Sequence, residues 1–207
     1  MARVLIVRSH PLDARASRTM RLTAIFEEEY RKHHPKDEIT NLNLYEVAIP
    51  EIDLDLLNGW NELGEGVPFI HLSIAEQAKI TLFKHYTEQF VAADKVVIAN
   101  PLWNLQVPTR LKAWIDTINV VGVTFRYNDD GTAISLVPGK KILHIQTAGG
   151  IFRGADPANQ YLRTIFGFLG VQSFEEIVAE GMDFDPEHAE EIMNEAAERA
   201  LLLGQSF

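Results

Sequence analysis

Three short segments hold the residues best suited to chemistry, and each directly follows an apolar run. RSHPLDARASRT (8–19) supplies Ser9, His10, Ser17, Arg18 and Thr19. NPLWNLQVP (100–108) supplies Pro101, Leu102, Trp103, Asn104 and Leu105, and TAGGIF (147–152) supplies Thr147, Ala148, Gly149 and Gly150. Hydroxyls and a cation at a helix N-terminus, where backbone N–H groups and the dipole favour negative charge, make a site for one phosphate monoester. A Trp between two leucines is an apolar wall for a flat aromatic ligand, and a neighbouring amide can fix the edge of the ring. Two glycines after a strand let backbone approach a ligand and free N–H groups to face it. Each segment also has a plainer reading. Ser17 can simply cap its helix, which is the stronger reading for that residue alone; Trp103 can be core, and Gly149-Gly150 an ordinary turn.

The elements between these segments decide whether they meet. Short β-branched runs mark strands at 3–7, 38–44, 95–100, 140–147 and 174–181. Helical spacing of apolar residues covers 17–34, 73–92, 109–118, 156–169 and 186–203, the last begun by Asp185. Ser73 with Glu76 three residues on is a capping-box pattern, and Pro108 precedes the helix from Thr109. Residues 46–70, punctuated by Pro50, Gly59, Gly64, Gly66 and Pro68, read as irregular. VTFRYNDDGTAISLV (123–137) reads as a hairpin about an Asp-Asp-Gly turn.

Five alternations of strand and helix predict an α/β fold: a three-layer sandwich of one five-stranded parallel sheet with helices on both faces. The hairpin is a small insertion. The predicted strand order is 2-1-3-4-5, in one domain spanning 1–207. In such a sheet the loops after the first, third and fourth strands lie together at the switch point, which is where ligands bind. The three segments are those loops.

Composition narrows the ligand. The formal charge of −10 argues against nucleic acid or an anionic membrane as the main partner. Cysteine is absent, no metal-ligand spacing of histidines appears, and no run resembles a secretion signal or membrane span. The chain reads as soluble and cytoplasmic, without a metal. His144, in a predicted buried strand, reads as a satisfied core histidine. GKK (139–141) opens a strand without Walker spacing, and the first loop lacks G-x-G-x-x-G, so neither a nucleoside triphosphate nor a dinucleotide pyrophosphate is expected. A ligand with one phosphate and one planar ring satisfies all three loops. FMN has that shape, and N–H groups of Gly149 and Gly150 at the ring edge would favour its reduced state.

The same residues carry a resemblance. ANPLWNLQVPTRLKAWIDTINVVGVTFRY (99–127), then LVPGKKILHIQTAGGIF (136–152), closely resembles the FMN-dependent NADH-azoreductases, relatives of the NAD(P)H:quinone reductases of flavodoxin-like fold. The likeness spans nearly the whole chain, as far as FGFLG and AEG. It implies a homodimer with one FMN per subunit and active sites at the subunit interface. It implies hydride transfer from NADH to flavin N5, then ping-pong reduction of quinones or cleavage of azo compounds. The chain's catalytic work would be positioning, with Asn104 at the flavin edge. The flavin contacts carry over to Ser9 or His10, Ser17–Thr19, Leu102–Leu105 and Thr147–Gly150. Phe125, Tyr127 and Phe152 are candidates for the substrate pocket, with packing in the hairpin or at the dimer contact as the other reading. His10 stands where some relatives have a second Ser, so it could pair with the phosphate as a switchable cation. Leu105 and Ala148 also depart from common family residues beside the ring. Two other readings remain: a quinone reductase without significant azo activity, and a flavodoxin-type electron carrier. The Gly-Val-Thr-Phe-x-Tyr hairpin (122–127) is foreign to the carrier.

Overall fold

The computed structural model describes residues 1–207. Its central sheet is built from β1 (Arg3–Arg8), β2 (Glu38–Asn43), β3 (Lys95–Pro101), β6 (Lys141–Ala148) and β7 (Ser173–Glu180). All four pairings are parallel, and the order is β2-β1-β3-β6-β7. The insertion contributes β4 (Phe125–Tyr127) and β5 (Ala133–Ser135), a separate antiparallel pair. Counted along the sheet alone, the order is the expected 2-1-3-4-5.

The side-chain alternation of a strand divides the core in two. Leu5, Val7, Val96, Ile98 and Ile142 face one layer with Phe90, Trp114 and Phe166. Those belong to α3 (Ile74–Ala92), α4 (Thr109–Ile118) and α5 (Pro157–Phe168). Val4, Ile6, Val97, Leu143 and Ile145 face the other layer with Phe26 and Met193. These lie on α1 (Arg18–His33) and α6 (Ala189–Ser206). Central strands therefore read as continuous apolar runs because both faces are covered.

The caps explain why the helices start where they do. Ser17 Oγ accepts from Met20 N at 3.3 Å, and Ser73 forms the full capping box with Glu76. Asp156 Oδ1 accepts from Asn159 N at 2.9 Å. The last helix departs from expectation. Pro186–His188 is a short 3₁₀ turn, α6 begins at Ala189, and Asp185 makes no cap with its side chain.

Residues 46–70 are not irregular throughout. They contain α2 (Leu54–Gly64), capped by Asp53, and a 3₁₀ turn at Phe69–His71. Gly59 lies inside α2 because the helix crosses α3 closely: a Cβ there would stand 2.8 Å from Ile80 Cδ1 and 3.1 Å from Glu76 Cβ. The GKK motif also gains a role. Lys140 Nζ is buried and donates to the carbonyls of Phe90, Val91 and Ala93, which closes the C-terminus of α3. No helix is long and apolar enough to cross a membrane.

Candidate cofactor site

The strands set the site by register. Arg8 lies opposite Ala99, and Pro101 opposite Thr147, so the chain leaves β1, β3 and β6 at adjacent points. There the three loops enclose a cavity of about 290 Å³. Its lining includes His10, Ser17–Thr19, Pro101–Trp103 and Thr147–Gly149, together with Met182 and Asp183 from the turn after β7. Sequence reading missed that last contribution, because no motif marks a residue that reaches the site only through the fold. A second cavity, of about 470 Å³, shares Trp103 and extends past Asn104 to Pro108, Lys112 and Tyr161.

The first loop supplies the anion end. Ser17 caps α1, which leaves the first-turn N–H groups of Arg18 and Thr19 without protein acceptors. Capping and lining the cavity are thus both true of Ser17. Ser9 is fully buried beneath the loop; its N–H donates to Ala99 O at 2.8 Å, and its hydroxyl has no partner. His10 Nδ1 accepts from Leu12 N at 3.0 Å, which requires that nitrogen to be unprotonated. Burial also holds the ring below its ordinary pKa. Nδ1 of His10 is thus engaged by its own loop, and the ring lies 5.3 Å from that of Trp103.

The second loop is a tight turn. Trp103 and Gln106 exchange both backbone hydrogen bonds, at 3.2 and 3.0 Å. The two residues between them, Asn104 (φ 50°) and Leu105 (φ 64°), are both left-handed. Asn tolerates this conformation, whereas a leucine there is strained, and such strain persists where the surroundings fix it. Leu102 N donates to Thr147 O at 2.9 Å, tying this turn to the third loop.

The third loop has its carbonyls turned away from its amides. Gly149 O accepts from Asp183 N and Phe184 N, and Gly150 O accepts from Gly181 N. The N–H groups of Gly149 and Gly150 have no protein acceptor. Beyond them Arg153 (φ 55°) and Gly154 (φ 69°) curl the backbone into a nest. It holds the Glu180 carboxylate by the N–H groups of Phe152, Arg153 and Gly154, at 2.8, 2.6 and 3.1 Å. This explains the AEG motif: Glu180 anchors the loop, and Gly181 (φ 89°) bonds it to β7.

A buried polar chain underlies the second and third loops. His144 Nε2 bonds Asn100 Oδ1 at 3.0 Å, Asn100 Nδ2 donates to Gln146 Oε1, and Gln146 Nε2 donates to Asp156 Oδ2 at 2.8 Å. His144 is only half satisfied, since its Nδ1 has no partner. Burial pushes its pKa down to about 4.

The remaining candidates are dispersed. Phe125 is packed in the core, 4.6 Å from the Phe168 ring and 5.4 Å from that of Tyr127, while Tyr127 is exposed. Phe152 lies against Gly150, where a Cβ would meet its ring at 3.1 Å. These three do not line the 290 Å³ cavity.

A family model described as flavodoxin-like fold matches residues 2–203. An FMN-dependent NADH:quinone oxidoreductase of Streptococcus suis is 43% identical over 196 residues, 95% of each chain. Among solved structures, an azoreductase from Bacillus anthracis is 32% identical and covers both chains fully, with a TM-score of 0.91. An FMN-dependent NADH-azoreductase of the same species, in complex with FMN, is 29% identical over 99% of this chain and 100% of its own, with a TM-score of 0.88.

Proposed function

The chain belongs to this family of flavodoxin-like fold, and on that premise we propose that it is an FMN-dependent NADH:quinone oxidoreductase that also cleaves azo compounds. One observation carries the reading. At one end of the cavity the N–H groups of Arg18 and Thr19 are free, and in the third loop those of Gly149 and Gly150 are free, with Trp103 in the cavity wall. Free donors in two places, with an aromatic wall, suit a ligand that is anionic at one end and a polar-edged ring at the other.

The residues present fit FMN. Ser17, Arg18 and Thr19 would hold the phosphate, with the dipole of α1 behind it. Leu102, Trp103 and Leu105 would wall the ring, Asn104 would bond its edge, and Gly149 and Gly150 would donate to the pyrimidine side. When bound, FMN would supply the redox chemistry, hydride acceptance from NADH and two-electron reduction of the acceptor in ping-pong order. The chain's part is positional. The nest around Glu180 fixes the glycine loop, and the strained turn at Asn104-Leu105 fixes the ring contact before any ligand arrives. Phe152 and Tyr127 would contact substrate, with Phe125 backing Tyr127.

A homodimer with active sites at the interface completes the reading, in the cytoplasm and without nucleic acid or membrane. Supporting it, Ile151 and Phe184 beside the glycine loop are 54% and 76% exposed, apolar groups that their own chain leaves more than half uncovered. The experiment is visible absorbance of the purified protein with FMN, before and after anaerobic NADH, with light scattering on the same sample. Bound flavin that bleaches and a dimeric mass are expected. Bound flavin that stays oxidised would favour an electron carrier, and an active monomer would sink the shared site.

A further inference from the structure

The cavity that is built for an anion contains an anion of its own. Arg18 is the only permanent cation in its lining, and Asp183 the only carboxylate. The two are paired: Arg18 Nη1 donates to Asp183 Oδ1 at 2.9 Å. The other carboxylate oxygen, Oδ2, lies so close over Gly149 that a Cβ there would stand 2.1 Å from it. Asp183 therefore reaches from the phosphate end of the site across to the glycine loop. Its backbone does separate work, since Asp183 N donates to Gly149 O at 3.0 Å whatever the side chain. The side-chain charge is not needed for the loop, and it opposes any anionic ligand in a chain already at −10.

We propose that Asp183 sets the affinity of the site for phosphate-bearing flavin by competing with the phosphate for the Arg18 guanidinium. This rests on the FMN reading above and adds a residue that works against the cofactor. The carboxylate and the phosphate are rival partners for one planar donor, and a guanidinium engaged by Asp183 is less available for bidentate phosphate contact. Both side chains are well exposed, at 45% for Arg18 and 72% for Asp183, so the rivalry is modest and screened by salt.

The test compares FMN with riboflavin, which has the same ring and no phosphate, by fluorescence titration of the full chain. Asp183→Asn keeps the backbone bond and the side-chain shape while removing the charge. It is expected to bind FMN about two- to fivefold tighter, the range of an exposed ion pair, and riboflavin unchanged. The gain should shrink in added salt and in an Arg18→Ala background. Equal tightening of both flavins would overturn the proposal, because Asp183 would then act on the ring. So would unchanged or weaker FMN binding, or a gain that persists in full without Arg18, which would be direct repulsion. A wild-type chain that takes up no FMN at all overturns the functional reading along with it, whereas normal wild-type binding with an indifferent Asp183→Asn overturns this proposal alone.

Discussion

The hydroxyls of Thr19 and Thr147 lie 2.6 Å apart, both buried, although 128 positions separate them in the chain. This bond joins the first turn of α1 to the end of β6, and so the anion end of the cavity to the glycine loop. Thr19→Val keeps the shape and leaves the Thr147 hydroxyl unsatisfied, at a cost of about 1–3 kcal/mol. The double variant Thr19→Val/Thr147→Val should cost less than the sum of the two single changes, because it removes both polar partners. Urea unfolding of the four proteins checks this. Strict additivity would mean that the two hydroxyls do not interact.

The turn at Asn104-Leu105 makes a prediction of opposite signs at adjacent positions. Both residues are left-handed, and a branched side chain in that conformation costs roughly 1–2 kcal/mol. Leu105→Gly removes the strain and should stabilise the chain, by less than that range because glycine also loosens the unfolded state. Asn104→Leu adds a second strained residue and removes the amide, so it should lower stability by about 1 kcal/mol and slow flavin reduction by NADH. Thermal melts give the first quantity and anaerobic stopped-flow the second. A stabilised Asn104→Leu, or one with unchanged reduction kinetics, would remove Asn104 from the proposed role.

Much of this arrangement is legible in the sequence. Apolar runs buried on both faces have to be central strands, and β1, β3 and β6 fix which loops become neighbours. What stayed hidden depends on contacts between distant segments. Gly59 reads locally as a helix breaker, yet it sits within a helix because α3 passes too close for a Cβ. Asp183 carries no motif, and its meaning comes from Arg18, 165 positions earlier. Glu180 could be any polar residue at the end of a strand until the left-handed pair Arg153-Gly154 wraps three amides around it. His10 stands in the sequence only as a neighbour of the phosphate loop, and the fold adds the Leu12 amide at its Nδ1 and a burial that lowers its pKa.

His144 makes the chain sensitive to acid in a defined window. Burial lowers its pKa to about 4 in the folded protein, against 6.5 for an ordinary histidine. Below pH 6.5 the unfolded chain takes up a proton that native His144 refuses, so stability falls as pH drops. The loss is complete only below about pH 4, where both forms are protonated, and above 6.5 this histidine contributes no slope. The full effect is roughly 3 kcal/mol as an upper bound, at 1.36 kcal/mol per unit. His144→Gln can still donate to Asn100 Oδ1 but does not titrate. Carboxylates act on both proteins alike, so the wild type should lose stability relative to the variant between pH 6.5 and 4 and run parallel to it above. Because the Asn100–Gln146–Asp156 chain underlies the Trp103 turn and the glycine loop, flavin bound to the native chain should be released only as native His144 is itself protonated, near pH 4. Parallel curves at every pH would show that the imidazole is protonated freely in the native state, and that this network does not hold it neutral.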